Sequence, residues 1–201
     1  MPEEIFPRAW EDAVKASGFL PVVVRTLERI HDASWKMQHS QHDFYELVFI
    51  KKGVVIFEIG SAEVRLESND IVVIKPRQLH KFSVRSQACD FIVLNFTFRD
   101  RENREFSDVS FNDFINFVKG GESGAFIRLK AGQKNYIISI LNRVLWEKDH
   151  KDVGSDFLEG LLTMELFVLI SRALKAEWED SIKGKVPKLK ELLAASKDYI
   201  E

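Results

Sequence analysis

The chain has 201 residues, which suits one domain or one and a half, and its 45% hydrophobic content lies in the ordinary globular range and excludes global disorder. A net charge of −2 argues against nucleic-acid binding by this segment itself, because such domains usually carry a basic excess. We therefore expect any contact with DNA to come from a part of the protein outside this sequence.

Other features of the chain exclude further classes. Cys89 is the single cysteine, so an internal disulfide is impossible. The N-terminus lacks a basic start followed by an apolar run, and no stretch approaches the roughly 18 apolar residues that cross a bilayer. The absence of GxGxxG, P-loop and GxSxG patterns removes the usual support for nucleotide cofactors and serine nucleophiles. The sequence predicts a cytoplasmic protein without membrane contact.

The first half of the chain has the pattern of a small β-barrel. A short helix is predicted near residues 8–16, followed by a β-branched run at Val22–Leu27. Clean alternation around the turn at Gly60 predicts a hairpin of 54–59 with 62–67. Further strands are predicted at 42–50, 71–75, 80–84 and 91–98. Seven or eight short strands favour a closed barrel with a polar spot inside.

Three polar residues fall where they could converge in that barrel. In a strand, residues two apart share a face, so His42 and Glu46 lie together with apolar neighbours, while His39 has the opposite parity. His80 follows a short β-branched strand and a proline. An inward carboxylate and two imidazoles must be paired, hydrogen-bonded or bound to a metal or ligand. The alternative is three ordinary polar residues at a barrel rim.

Three more residues are candidates for lining the same pocket. Arg25, on an inward face beside Val23 and Leu27, would grip an anionic or hydroxyl-rich ligand, although an exposed edge-strand charge is the favoured alternative. Trp35 could stack on a sugar or simply pack. Asn95 is a possible polar lining group. Together with the imidazoles and the carboxylate, they would suit a hydroxyl-bearing effector such as a sugar.

The second half of the chain predicts two helices, about 133–150 and 155–177. The second helix is apolar over so much of its circumference that it needs burial on more than one side. A second subunit is the favoured cover, with intramolecular packing as the alternative. The leucines expected to form a homodimer interface are Leu141, Leu145, Leu158, Leu162, Leu166 and Leu169.

The segment around His42 resembles the first motif of the cupin superfamily, which has the form HxH, three or four residues, E, six residues, G. Here His42, Glu46 and Gly53 match at the required spacing, whereas Ser40 occupies the position of the first histidine. Because that histidine is a metal ligand in the motif, its replacement weakens the resemblance to a metal-dependent enzyme. His39 could substitute for it only if a bulge reversed its parity.

The later segment resembles the second cupin motif, which has the form G, five residues, PxG, two residues, H. Asn69, Lys75 and Arg77 replace the first glycine, the proline and the inner glycine, and His80 matches. The His39-x-x-His42-x-x-x-Glu46-Leu form, with the later Pro76 and His80, looks more like the AraC/XylS-type transcriptional regulators. Their N-terminal domain is a cupin-like sensor.

This resemblance implies a fold and a division of the chain. The fold would be mainly β with α, a cupin-like double-stranded β-helix or jelly-roll barrel followed by a C-terminal helical pair. Residues 1–105 would form the N-terminal segment and the sensor, and 106–182 the helical dimerisation region. Residues 183–201 would be a linker and the start of a truncated DNA-binding domain, since a helix ending in Tyr-Ile-Glu opens that domain in AraC-type proteins.

The leading hypothesis for function is an effector-sensing and dimerisation module without enzymatic activity. Its small-molecule effector would control a helix-turn-helix domain absent from this sequence. One alternative is a metal-dependent cupin oxygenase or isomerase that uses His42, Glu46 and His80 as ligands. Two further alternatives are a sensor that binds a divalent metal at the same residues without catalysis and a dimerisation module whose barrel binds nothing. No other cofactor is expected.

Overall fold

A computed structural model describes residues 20–99, 125–128 and 131–183. The predicted helix near 8–16, the predicted domain boundary near 105 and most of the predicted linker lie outside these residues. The elements in chain order are β1 (Leu20–Asp32), β2 (Tyr45–Lys52), β3 (Val54–Ile59), β4 (Ala62–Glu67), β5 (Asp70–Ile74), β6 (His80–Val84), β7 (Ala88–Arg99), β8 (Ala125–Arg128), α1 (Ala131–His150) and α2 (Ser155–Lys183). The mainly β chain with a helical pair is confirmed.

The strands form two antiparallel sheets that pack face to face. The larger sheet has the order β1-β7-β2-β5-β8, and the smaller has the order β4-β3-β6. The short strand β8 pairs with β5, so the larger sheet extends into the segment that the sequence assigns to the helical region. Its four residues carry too little periodicity for the sequence to distinguish a strand from a loop.

The central strand β2 divides its side chains between two cores. Tyr45, Leu47 and Phe49 point to the outer face of the larger sheet, and Val48 and Ile50 point inward to the smaller sheet. All five are buried. The parity predicted for the inward face of this strand is confirmed, and it places Glu46 on that face.

Both helices cover the outer face of the larger sheet. Leu141, Leu162 and Leu166 are at most 2% exposed within a single chain. The other three leucines expected at a dimer interface, Leu145, Leu158 and Leu169, are partly buried against the same core. These six leucines therefore pack within a single chain, as the intramolecular alternative proposed, because the β-sheet offers the helices a complementary apolar surface.

The first strand contains an irregularity that the sequence did not reveal. The register of β1 against β7 shifts between Val23 and Arg25, which leaves Val24 as a bulged residue. Val23 therefore packs in the outer core, whereas Leu27 packs with the inner one. The prediction that Val23 shares a face with Arg25 is wrong, because one extra residue reverses the alternation.

In the described part of the chain, no helix is long and apolar enough to cross a membrane.

Candidate functional site

Three elements bring His42, Glu46 and His80 together at one end of the inner face. Glu46 is the second residue of β2, and His80 is the first residue of β6. The extended segment before β2 runs antiparallel to β6, and the backbone amides of Ser40 and His80 each donate to the other's carbonyl, at 2.8 and 3.0 Å. His42 follows two residues later and therefore lies beside His80, with 5.0 Å between the ring centroids.

The loop between β5 and β6 fixes this arrangement from the other side. The backbone amide of Arg77 donates to the carbonyl of His42 at 2.7 Å, and the Gln41 side-chain amide donates to the carbonyl of Arg77 at 2.7 Å. The guanidinium of Arg77 also pairs with Asp43 at 3.0 Å. Sequence reasoning missed this positioning role, although Arg77 stands at the position of the inner glycine of the second motif.

The three side chains approach one another without direct hydrogen bonds. The distance from His42 Nε2 to Glu46 Oε2 is 3.6 Å, and that from His80 Nε2 to Glu46 Oε1 is 3.7 Å. The Nε2 atom of His42 is buried and has no hydrogen-bond partner. Because a buried polar atom without a partner is costly, these atoms form a site that a bound group would complete.

The other ring nitrogens determine what the two imidazoles present. His42 Nδ1 lies 2.7 Å from the carbonyl of Phe44, and His80 Nδ1 lies 2.9 Å from the carbonyl of Gln78. A carbonyl can only accept, so each Nδ1 carries the proton and each neutral ring presents an Nε2 lone pair. Two nitrogen acceptors and a carboxyl group therefore converge, and hydrogen-bond donors or a cation would satisfy them.

Burial shifts the pKa of His42, Glu46 and His80 in the direction that favours the neutral form of each side chain. It raises the pKa of Glu46 from 4.5 to about 7, although the positive charge of Arg25 opposes the shift. It lowers the pKa of His42 and of His80 below the usual value, against the opposing effect of their hydrogen bonds to backbone carbonyls. At neutral pH burial therefore favours the uncharged form of both imidazoles, and the Glu46 carboxyl keeps its proton to a higher pH than an exposed glutamate does.

A polar row extends from Glu46 across the inner face to the edge of the larger sheet. Glu46 is the register partner of Asn95 on β7, which in turn is the partner of Arg25 on β1. Register partners point to the same face, so all three share the inner side of the sheet. Asn95 is 5% exposed with an unpartnered Oδ1, and Thr97, two residues along β7, has a buried unpartnered hydroxyl. Arg25 is exposed on the edge strand, which is the alternative that the sequence favoured for it. Its positive charge nevertheless acts to lower the pKa of Glu46.

The two remaining candidates lie apart from this cluster. Trp35 stacks on His31 with 4.1 Å between ring centroids and contacts Phe82 at 4.7 Å, as part of the inner core. Its contacts are those of a packing residue. His39 is exposed and does not belong to the group of His42, Glu46 and His80, whose ligand atoms all lie within 4.8 Å of one another.

Two facing β-sheets with a polar cluster at one end of their shared interior define a cupin-like sandwich. Residues 23–103 match the family model described as the AraC-like ligand binding domain. Over these residues the chain matches an AraC-like ligand-binding domain, and the resemblance stated from the motifs is confirmed. No curated protein matches the chain in sequence.

Solved cupin structures resemble the chain over a limited part of its length. An RmlC-like cupin family protein with a double-stranded β-helix fold from Methanocaldococcus jannaschii is 15% identical, with a TM-score of 0.35 over 36% of this chain and 69% of that one. A predicted oxalate decarboxylase from Thermotoga maritima is 12% identical, with a TM-score of 0.35 over 36% of this chain and 65% of that one. A cupin-like protein from Thermotoga maritima is 11% identical, with a TM-score of 0.34 over 38% and 67%.

Proposed function

We propose that the chain is the effector-sensing and dimerisation module of an AraC-type transcriptional regulator. The observation that carries this proposal is the convergence of two Nε2 lone pairs and a carboxyl group inside an AraC-like ligand-binding domain. A hydroxyl-bearing molecule would satisfy these atoms by donating to them. An effector alters regulation only through the difference in its binding free energy between two conformations. The action on DNA, through a helix-turn-helix domain outside this sequence, stays a prediction.

The experiment that tests the pocket measures ligand-induced stabilisation. Thermal unfolding of the full chain is followed with a panel of sugars, polyols and sugar acids, since a ligand that binds the folded state raises the melting temperature. Glu46→Gln replaces an acceptor oxygen with a donor and should abolish the shift. Glu58→Gln is the matched control, because Glu58 pairs with Lys81 at 2.9 Å on the smaller sheet and lies outside the His42, Glu46 and His80 group. A shift that survives Glu46→Gln unchanged contradicts the pocket.

The exposed surface of α2 supports the dimerisation part of the proposal. Phe157, Leu161 and Val168 are 61%, 43% and 37% exposed, and Met164 is partly buried between them. Their spacing of four, three and four residues is that of a coiled-coil seam. We propose that this stripe, rather than the six leucines of the intramolecular core, meets a second copy of the chain.

Sedimentation equilibrium of the full chain tests the homodimer. The double change Leu161→Glu with Val168→Glu places charges in the stripe and should yield a monomer with unchanged helical circular dichroism. The control is Glu165→Gln on the same helix, which should remain dimeric. A monomeric parent chain would contradict this part of the proposal and leave the pocket assignment intact.

A divalent cation is the second candidate for the site. The two measured separations, 3.6 and 3.7 Å, are near the roughly 3.4 Å expected between ligands bound about 2.1 Å from a tetrahedral metal. The unpartnered Nε2 of His42 also suits a metal, and His42, Glu46 and His80 would then be the ligands. Such a metal would supply a Lewis acid and an open position for an effector, or for a substrate in the enzymatic alternative.

Metal content distinguishes these alternatives. Mass spectrometry of the purified chain, and thermal unfolding with added Zn²⁺ or Mn²⁺, should show one equivalent and a stabilisation that His80→Gln removes if the cation is resident. The control is His150→Gln, because His150 lies on α1 and is exposed. The absence of both signals would leave the metal-free effector pocket as the supported function.

A further inference from the structure

The polar row on the inner face has two chemically different ends. At one end, His42, His80 and Glu46 present two ring nitrogens and a carboxyl group whose ligand atoms lie within 4.8 Å of one another. At the other end, Arg25 offers a guanidinium, which is a permanent cation with donors in a fixed fork. Asn95 lies between them on the middle strand. A ligand that uses the whole row therefore needs hydroxyl donors at one end and an anionic acceptor at the other.

The charge of Arg25 is not neutralised within the described part of the chain. No hydrogen bond or ion pair joins it to another described residue, and its nearest acidic neighbour along the row, Glu46, lies two strands away. That spacing is roughly 10 Å between Cα atoms. Arg77, the guanidinium near the opposite end of the row beside His42, is paired with Asp43 and is 81% exposed. Among the described residues of this row, Arg25 is thus the cation that a ligand could meet.

The buried side-chain amide of Asn95 also indicates a ligand, and this observation does not depend on the charge of Arg25. Its side chain is 5% exposed and its Oδ1 has no hydrogen-bond partner. An unpartnered acceptor between the guanidinium and the imidazoles fits a hydroxyl on the carbon next to the group that Arg25 binds. A neutral sugar would satisfy Asn95 but would leave the charge of the exposed Arg25 guanidinium to solvent alone.

We propose that the effector is a small hydroxylated carboxylic acid whose carboxylate binds Arg25 and whose hydroxyls donate to Asn95 and to the His42, Glu46 and His80 group. This inference rests on the proposed effector-sensing function and names its ligand class. A single guanidinium matches one carboxylate in charge and in fork geometry, whereas a phosphate dianion would leave one charge unmatched.

Isothermal titration calorimetry of the full chain with matched pairs of acids and neutral compounds tests the proposal. The probes are gluconate with glucitol, galacturonate with galactose, and glycerol phosphate, each up to about 10 mM. We expect at least one acid to bind about tenfold or more tightly than its neutral counterpart. Arg25→Gln should remove this preference, and Arg25→Lys should restore part of it, since lysine keeps the charge without the fork.

The control variant is Arg29→Gln, because Arg29 is exposed on the same strand and lies at the register position of Phe91, farther from Glu46. It should leave the affinity for the acid unchanged.

Equal binding of acid and neutral compound, tighter binding of glycerol phosphate, or unchanged affinity in Arg25→Gln would overturn the acid inference. A neutral probe that binds at least as tightly as its acid, and whose binding Glu46→Gln abolishes, would keep the pocket while refuting the acid. Absence of binding by every probe would overturn the acid inference, and the metabolite panel under Proposed function would then decide the pocket separately.

Discussion

The two faces of the larger sheet differ in how completely they are apolar. The outer face packs against α1 and α2 through side chains such as Phe49 and Leu94, which are fully buried. The inner face is equally apolar in its middle, at Val48 and Ile50, but ends in the polar row that starts at Glu46. Because β2 contributes to both faces, alternate residues of one strand build the apolar core and the polar site.

The largest effect is expected on the outer face. Phe49→Ala removes a fully buried ring from the core between the sheet and the helices. We expect a loss of about 3–5 kcal/mol in the free energy of unfolding, from lost burial plus the cavity left behind. Urea unfolding followed by circular dichroism measures it.

Tyr136→Ala is the control for that loss, because this ring is 67% exposed on α1 and lies outside the proposed dimer stripe. The control should cost less than about 1 kcal/mol. Equal losses in the two variants would show that the outer face is not the main apolar core, and the contrast between the faces would have to be abandoned.

The contribution of the inner face to the free energy of unfolding should depend on pH, whereas that of the outer face should not. Folding raises the pKa of Glu46 from 4.5 to about 7 through burial, so the folded chain holds this proton more tightly than the unfolded one. The corresponding stability is fully present below about pH 4.5 and is lost as the pH rises through about 7. Glu46→Gln lacks this dependence.

The variant Glu46→Gln should therefore gain stability relative to the parent chain as the pH rises from about 4.5 to 8, by up to about 3 kcal/mol. Both proteins carry His42 and His80, whose lowered pKa values act in the opposite direction, so the difference between variants isolates most of the carboxyl effect. Urea unfolding across this pH range measures it. Glu58→Gln should show a flat difference, and a flat difference for Glu46→Gln would mean that this carboxyl is already solvated or paired.

The next largest loss of stability is expected at the turn that follows β2. Gly53 has φ of +103°, and a Cβ at this position would lie 2.5 Å from the carbonyl oxygen of Ala88. Gly53→Ala should cost at least about 2 kcal/mol from backbone strain and steric overlap. Gly60→Ala is a matched control, because Gly60 has φ of +58° and a Cβ added there would meet no atom within 4 Å. Thermal unfolding of the two variants should separate strain alone from strain with overlap.

The sequence predicted what depends on local alternation and spacing. The inward parity of Glu46 and the hairpin around Gly60 follow from a two-residue period and a turn residue, and both are present. The bulge at Val24 and the strand at Ala125–Arg128 were not predicted, because each depends on a partner strand distant in the sequence. Leu162 and its neighbours were assigned to a dimer interface because an apolar helix face does not reveal which surface covers it.

The departures from the second motif have a structural explanation. Asn69 and Arg77 replace the two motif glycines, and they are the two non-glycine residues with positive φ in the described part of the chain, at 79° and 61°. The backbone has therefore kept the left-handed conformation that glycine adopts most easily, even though the side chains changed. A missing glycine in this motif does not by itself indicate a different loop.

The smallest predicted effect follows from this retained conformation. Arg77→Gly should stabilise the chain by about 0.5–1 kcal/mol, because glycine relieves the left-handed strain and keeps the amide that donates to His42. Asn69→Gly should gain less, since asparagine tolerates this region better than arginine does. Asp43→Asn controls for the lost ion pair, which is exposed and contributes little. Urea unfolding measures all three, and a destabilised Arg77→Gly would show that the arginine side chain, rather than the backbone turn, holds the loop against the polar end of the inner face.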